Sequence, residues 1–134
     1  MRAGERTAMT QTVFKLVDRP SWEAAAVSGA FDGSPADERD GFIHLSTAAQ
    51  VRETAARHFA GQSDLVLVAV AAERLGDALR WEPSRGGALF PHLYAPLPLG
   101  AVLWVADVRL DATGRHVFPR PFFEVAESNP SPDL

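Results

Sequence analysis

Cysteine is absent from the 134 residues of the chain. This absence excludes disulfides, thiolate nucleophiles and cysteine-based metal sites. No run of about 18 apolar residues occurs either, so the sequence predicts no membrane-spanning helix. The first residues contain no apolar core of a signal peptide, and the expected location is therefore the cytoplasm.

Lysine is nearly absent: Lys15 is the only one. The chain contains twelve arginines in addition. The formal net charge is −4, which argues against broad electrostatic binding to nucleic acid. A local pocket for a small charged ligand is compatible with this charge. Hydrophobic residues make up 46% of the chain and charged residues 22%, as is usual for a globular domain.

Five apolar segments are typical of β-strands. They cover residues 13–17, 42–45, 65–71, 79–82 and 102–110. The segment 65–71 (LVLVAVA) is apolar throughout, which predicts a strand that is buried on both faces. Turn residues are frequent at 30–40, where aspartate, glycine and proline occur, and at 83–91, where glycine and proline occur. These two segments are therefore predicted to be loops.

The first of two main helices is predicted to follow the first strand. Asp18 and Pro20 are typical of a helix start, and Gly29 is typical of a helix end. The buried side of this helix is predicted to consist of Trp22, Ala25 and Ala26.

The second main helix is predicted to run from residue 48 to about residue 59. Thr47 and Gln50 have the spacing of a capping box, in which the threonine hydroxyl caps the helix. Glu53 and Arg57 are four residues apart and are expected to pair on the solvent side. The predicted apolar stripe of the helix consists of Ala48, Val51, Ala55 and Phe59.

Two helices and five or six strands predict an α+β fold in one globular domain, residues 12–119, with a split mixed or antiparallel β-sheet. Residues 1–11 are expected to form a flexible leader. Residues 120–134 are rich in proline and are expected to form a surface wrap or a partly disordered tail.

Two segments share one pattern around a histidine. An aromatic residue, a spacer, His, Leu and a hydroxyl-bearing residue follow one another in 42–46 (FIHLS) and in 90–94 (FPHLY). His44 and His92 are therefore either core residues that donate to backbone carbonyls or partners that face one cleft. The second interpretation predicts that both histidines line the same cleft and makes them candidate catalytic residues.

Four further side chains are candidates for a binding or catalytic role. Ser46 and Thr47 end a strand at a helix start, where they cap the helix and where free backbone N–H groups suit an anion such as phosphate. Glu82 precedes a proline at a strand end and is either a rim residue or a catalytic carboxylate. Tyr94, the only tyrosine, either packs at the edge of the sheet or contacts a ligand.

Metal binding is a further alternative for the same residues. Two histidines and a carboxylate form a workable zinc set, but no closely spaced histidine pair such as H-x-H occurs, and no metal site is predicted. Asp37 and Asp40 are interpreted as turn residues. His58 and His116 are expected to have no functional role.

The strings DGFIHLST at 40–47 and FPHLY at 90–94 occur together with Trp22, Gly29, Gln50 and Glu82. On these residues, the segment 13–110 resembles the domain-of-unknown-function family 952. The resemblance implies an ADP-ribosyltransferase-like fold, in which a split β-sheet holds NAD in a central cleft.

The resemblance also implies residue roles. His44 would contact a ribose, Tyr94 would stack on nicotinamide, and Glu82 would orient the ribose for transfer. The spacing of Glu82 and Tyr94 departs from the usual pattern of that fold, so the resemblance supports the fold more strongly than it supports the activity.

Three functional hypotheses are compatible with these residues. The first is an enzyme that transfers ADP-ribose or cleaves a glycosidic bond, with NAD as a candidate substrate. The second is a non-catalytic module that binds a nucleotide, and the third is a histidine-pair phosphodiesterase. Each requires a small nucleotide-type ligand as partner and no membrane. The candidate catalytic residues are His44, Glu82 and His92, and the candidate ligand-binding residues are His44, Ser46, Thr47 and Tyr94.

Overall fold

The computed structural model describes residues 11–128. Most of the predicted leader (1–10) and the end of the predicted tail (129–134) lie outside the described residues. The described part contains four α-helices, Arg19–Ser28 (α1), Pro35–Asp40 (α2), Val51–His58 (α3) and Arg120–Ser128 (α4). It also contains nine strands, Thr12–Asp18 (β1), Ala30–Phe31 (β2), Ile43–His44 (β3), Leu65–Ala71 (β4), Leu79–Pro83 (β5), Leu89–Leu93 (β6), Leu97–Pro98 (β7), Val102–Leu110 (β8) and His116–Val117 (β9).

The strands form two larger sheets that meet at one residue pair. One sheet has the strand order β1-β4-β8-β9, a second has the order β3-β6-β5, and β2 pairs only with β7. The pairs among residues 11–128 are antiparallel. Phe14 and Ser46 join the two larger sheets through backbone hydrogen bonds of 2.7 and 2.9 Å. The structure thus confirms an α+β fold in one small domain, with a sheet that is split beside this bridge.

Strand β4 lies at the centre of the core, and the prediction that it is buried on both faces is confirmed. Val66, Val68 and Val70 contribute to one hydrophobic cluster, whereas Leu65 and Leu67 contribute to another on the opposite face. Burying each such side chain contributes about 1.5–3 kcal/mol to the free energy of unfolding. The continuous apolar run therefore holds the two layers of the domain together.

Helix α1 begins and ends where the sequence predicts. The Asp18 carboxylate accepts a hydrogen bond from the Ser21 backbone N–H at 3.1 Å, and Gly29 ends the helix in a left-handed conformation with φ of 102°. Trp22 and Ala25 are buried as predicted. Ala26, which was also predicted to be buried, is exposed, because the buried line of this short helix follows the i, i+3 row.

The predicted start of the second main helix is wrong. Helix α3 begins at Val51 rather than at residue 48, and its first turn has no side-chain cap. The Ser46 hydroxyl is within 3.1 Å of the Thr54 hydroxyl instead. Only half of the predicted capping box is present, since Gln50 Oε1 accepts from the Thr47 backbone N–H at 3.0 Å. The backbone of Ser46 is held by β1, which delays the helix by one turn.

Other features of α3 agree with the prediction. Glu53 and Arg57 form an ion pair of 2.8 Å on the exposed side. Val51 and Ala55 are buried, and Ala48 and Phe59 pack partly buried against the same cluster.

Two predicted loops contain regular structure. Residues 30–40 form the short strand β2 and the helix α2, because Ser34 and Asp37 make a complete capping box with Pro35 in the first turn. In the segment 83–91, only a short turn at Arg85–Gly87 separates β5 from β6. The glycines and prolines there mark the ends of strands rather than a long loop.

The predicted tail is folded over part of its length. Residues 120–128 form α4, and Phe122 is fully buried. Its ring contacts the ring of Phe14 at a centroid distance of 5.4 Å. Pro121 lies in the first turn of this helix, a position that proline tolerates well. Pro130 and Pro132, which also suggested a tail, lie outside the described residues.

Candidate functional site

The antiparallel pairing of β3 with β6 brings the two patterned histidines together. His44 lies opposite His92, and Ile43 lies opposite Leu93. Ile43 and Leu93 are buried in the core, so the alternation of side chains along a strand places both histidines on the other face. Their ring centroids are 5.7 Å apart, and both residues line a cavity of about 580 Å³. The prediction that His44 and His92 share one cleft is confirmed.

Phe42 packs the two imidazoles into one cluster. Its ring stacks on His92 at a centroid distance of 4.1 Å and contacts His44 at 4.6 Å. Tyr94 extends the cluster, with its ring 5.2 Å from that of Phe42. The first aromatic residue of the DGFIHLST string therefore holds the rings of the site in place.

His44 is held between two carboxylates. Its Nδ1 atom lies 2.7 Å from Asp37 Oδ1 and its Nε2 atom lies 2.9 Å from Asp40 Oδ2. Carboxylate oxygens only accept, so both contacts are hydrogen bonds when the ring carries two protons. The His44 backbone N–H also donates to Asp37, at 3.1 Å. Asp37 and Asp40 were interpreted as turn residues, and this interpretation misses their main contacts.

Asp37 also forms a buried ion pair with Lys15. The Lys15 ammonium lies 3.1 Å from both carboxylate oxygens. Burial opposes the ionisation of Asp37, but the hydrogen bond from His44 and the charge of Lys15 hold the pKa of this carboxyl well below its usual range. Burial lowers the pKa of Lys15, while the neighbouring Asp37 opposes that effect.

His92 has its own carboxylate partner. Glu82 Oε1 lies 2.8 Å from His92 Nδ1 and accepts a hydrogen bond from the Tyr94 hydroxyl, also at 2.8 Å. The hydrogen bond from His92 has the largest effect on Glu82, followed by the hydrogen bond from Tyr94. Both lower the pKa of Glu82. The hydrogen bond from the Tyr94 hydroxyl to Glu82 raises the pKa of Tyr94. The Arg80 guanidinium lies over the Tyr94 ring, 4.8 Å from its centroid.

The predicted site residues divide into two groups. His44, Ser46 and His92 line the cavity, whereas Thr47, Glu82 and Tyr94 do not. Glu82, which was expected to reach the cleft that holds His44, contacts His92 instead. Tyr94 lines a separate depression of about 280 Å³.

The cavity contains several residues that sequence reasoning missed. The Arg85 guanidinium lies over the ring of Phe90 at 4.8 Å and within 3.4 Å of the Thr54 hydroxyl. Lys15 was also missed, although an isolated lysine inside an apolar strand was a usable signal. Side chains that carry or can accept a positive charge outnumber the carboxylates of the lining; they are Lys15, Arg39, His44, His58, Arg85 and His92, against Asp18, Asp37 and Asp40.

Two structural features are absent from residues 11–128. No group of three or more His, Asp or Glu side chains is placed to hold a metal ion in this part of the chain. No helix in the same range is long and apolar enough to cross a membrane.

The fold and the paired histidines define a small α+β protein with a cavity at the histidine pair, and comparison with known proteins gives its family. Residues 16–105 match the family described as "Protein of unknown function (DUF952)", so the chain belongs to that family. The chain is similar to protein CC0527 from Caulobacter crescentus. Its crystal structure shares 50% sequence identity with a TM-score of 0.80, over 84% of this chain and 98% of that one.

Two other structures of CC0527 give the same result. The crystal structure of a double mutant has 49% identity and a TM-score of 0.80, with the same coverage of both chains. The solution NMR structure has 50% identity and a TM-score of 0.73, over 87% of this chain and 97% of that chain. No curated protein matches the chain.

Proposed function

We propose that the cavity binds a small phosphate-bearing molecule of the nucleotide class and that His44 and His92 act on it as an acid–base pair. The proposal rests on one observation. Each histidine is held at Nδ1 by a carboxylate, at 2.7 Å for His44 and 2.8 Å for His92, and the two lie opposite each other on paired strands. Such contacts fix the orientation and the tautomer of an imidazole.

The charges of the cavity support an anionic ligand. Lys15 and Arg85 line it beside the two histidines, and two of the lining carboxylates, Asp37 and Asp40, are already bonded to His44. Lysine and arginine are common ligands of phosphate groups in proteins.

The hydrogen-bond partners assign a role to each histidine. The Nδ1–H group of His92 donates a hydrogen bond to Glu82. In the neutral ring Nε2 therefore keeps a lone pair and can take the proton of an attacking hydroxyl or water. In its doubly protonated form, His44 can give its Nε2 proton to the leaving oxygen of the phosphate ester when the ligand displaces Asp40 from that nitrogen. One proton is taken and one is given, so the reaction leaves the pair in the reverse protonation states.

A second candidate is the cleavage of a glycosidic bond in NAD or a related nucleotide, within the ADP-ribosyltransferase-like cleft that the family resemblance implies. One observation favours it. Both hydrogen bonds of Glu82 use Oε1, and Oε2 has no protein partner among residues 11–128. A free carboxylate oxygen beside His92 is suited to stabilise the positive charge that develops on a ribose.

The two candidates give different products. Purified protein would be incubated with 2′,3′-cyclic nucleotides and with NAD, and released phosphomonoester and nicotinamide would be quantified. We expect phosphomonoester, with a loss of at least 100-fold in the variants His44→Gln and His92→Gln. His116→Gln is the matched control, because His116 lies in β9 and does not line the cavity.

Each other outcome has a defined meaning. Nicotinamide as the only product would favour the second candidate. A thermal shift with a nucleotide, without turnover of any compound, would indicate a non-catalytic binding module. The absence of any nucleotide-induced shift would reject the proposed function.

A further inference from the structure

Lys15 occupies an unusual position for a lysine. It lies in β1 on the same face as Val13 and Val17, both of which belong to the hydrophobic core. Its side chain is 8% exposed, and it lines the cavity that holds His44 and His92. A charged side chain is rarely buried in such a row unless it is paired or has a role of its own.

The hydrogen bonds of Lys15 are incomplete. An ammonium group has three N–H donors, and the only acceptor of Lys15 among residues 11–128 is the carboxylate of Asp37. Two donors can face the two oxygens of Asp37, both at 3.1 Å. The third has no protein acceptor within the described chain, and the cavity is the space that adjoins it.

Lys15 and His44 lie side by side, because both bond to the same atom, Asp37 Oδ1. One carboxylate thus faces an ammonium group and an imidazole at the cavity wall. Asp40, which contacts the other nitrogen of His44, is 38% exposed and can turn into water when another anion takes its place. A phosphate group brings several acceptor oxygens and a negative charge to such a position.

We propose that Lys15 binds a phosphate oxygen of the ligand at the inner wall of the cavity, beside His44. This proposal rests on the proposed function and names the group of the ligand that the inner wall recognises. It predicts that the site distinguishes a nucleoside monophosphate from the nucleoside that lacks the phosphate. In the alternative, the only role of Lys15 is to neutralise Asp37 in the folded chain.

Binding of AMP and adenosine separates these two roles, because the two compounds differ only in the phosphate. The double variant Lys15→Met, Asp37→Asn removes the ion pair as a unit, so that no lone charge stays buried. Its reference is Asp37→Asn, which loses the same carboxylate beside His44 but keeps Lys15. Calorimetry should show that the Kd for AMP is at least tenfold higher in the double variant than in Asp37→Asn, while the Kd for adenosine differs less than twofold. The same Kd for AMP in both folded variants would overturn the role of Lys15.

If either variant does not fold, the wild-type chain supplies the test. Lys15 is the only lysine, so an amine-acylating reagent followed by peptide mass mapping reports on it alone, apart from the α-amino group. Saturating AMP should slow its acylation at least tenfold, and adenosine should not. Equal rates with AMP and adenosine, when AMP shifts the melting temperature, would overturn the role of Lys15 and leave the proposed function standing. The absence of AMP binding to the wild-type chain would overturn both.

Discussion

The Nδ1 atom of His44 lies 2.7 Å from Oδ1 of Asp37, a carboxylate that is only 2% exposed. The contact joins β3 to α2, so a helix fixes the orientation of an imidazole that belongs to a strand. The positive charge of Lys15 stabilises the ionised carboxylate of Asp37 in the interior. The site and the stability of the domain therefore depend on the same buried side chains.

Replacing Asp37 is predicted to destabilise the fold strongly. Asp37→Asn leaves Lys15 buried without a counter-charge, and removing one partner of a buried ion pair costs about 3–5 kcal/mol. Asp40→Asn removes a carboxylate from the same helix at an exposed position and should cost less than about 1 kcal/mol. Urea denaturation of both variants measures the difference. Equal losses would show that the ion pair does not stabilise the core.

The stability of the domain at acid pH is also predicted to depend on Asp37. Burial opposes its ionisation, but the hydrogen bond from His44 and the charge of Lys15 make its folded-state pKa lower than normal. An unfolded aspartate has a pKa of about 3.9. Because the folded pKa is the lower one, the contribution is complete above about pH 4 and is lost as the pH falls toward the folded value.

The free energy of unfolding, measured with urea at a series of pH values, should therefore decrease below about pH 4. The decrease should be less steep for Asp37→Asn than for the wild-type chain. The slopes are compared rather than the absolute values, because the variant is destabilised at every pH. Parallel curves would contradict this prediction.

The sequence predicted those helices and strands whose sequence signals lie within the element itself. The apolar run of β4 and the cap and end of α1 are local, and both predictions were accurate. Matched patterns around His44 and His92 also predicted a shared cleft, and the antiparallel register of β3 and β6 places these two histidines directly opposite each other.

The partners of the histidines were not predictable in the same way. Asp37 lies 22 residues from Lys15 and seven from His44, and its burial follows from the packing of α2 against β1 and β3. Its capping box with Ser34 was a local signal that was missed. Phe122 was assigned to a tail because its burial depends on contact with Phe14, more than a hundred residues earlier.

The corrected start of α3 gives a third prediction. Gln50 accepts from the Thr47 backbone N–H and donates to the Leu89 carbonyl at 2.8 Å, so it ties the helix start to β6. Gln50→Ala should therefore cost about 1 kcal/mol of stability. Thr47→Ala should cost less than about 0.5 kcal/mol, because the Thr47 hydroxyl does not cap the helix. Thermal and urea denaturation would measure both losses. A larger loss for Thr47→Ala than for Gln50→Ala would show that the Thr47 hydroxyl caps the helix after all.

Asp40 is predicted to compete with an anionic ligand. Its carboxylate bonds to His44 Nε2 at 2.9 Å and lines the cavity, so a phosphate must displace it to reach that nitrogen. Asp40→Asn should lower the Kd for AMP several-fold. Glu38→Gln is the matched control, because it removes the same charge from the same helix at an exposed position outside the cavity. Equal effects of the two variants would indicate only a general electrostatic attraction.

Glu82 is predicted to act as a positioning residue for His92. In the proposed acid–base reaction, Glu82→Gln keeps the size of the side chain but removes the charge that holds the His92 tautomer. It should lower kcat at least tenfold, leave KM nearly unchanged and shift the pH profile, since transition-state interactions appear in kcat. Tyr94→Phe removes only the second hydrogen bond to Glu82 Oε1, so its kcat should fall less. A Glu82→Gln variant with the wild-type pH profile and a raised KM would contradict this role and place Glu82 in ligand binding instead.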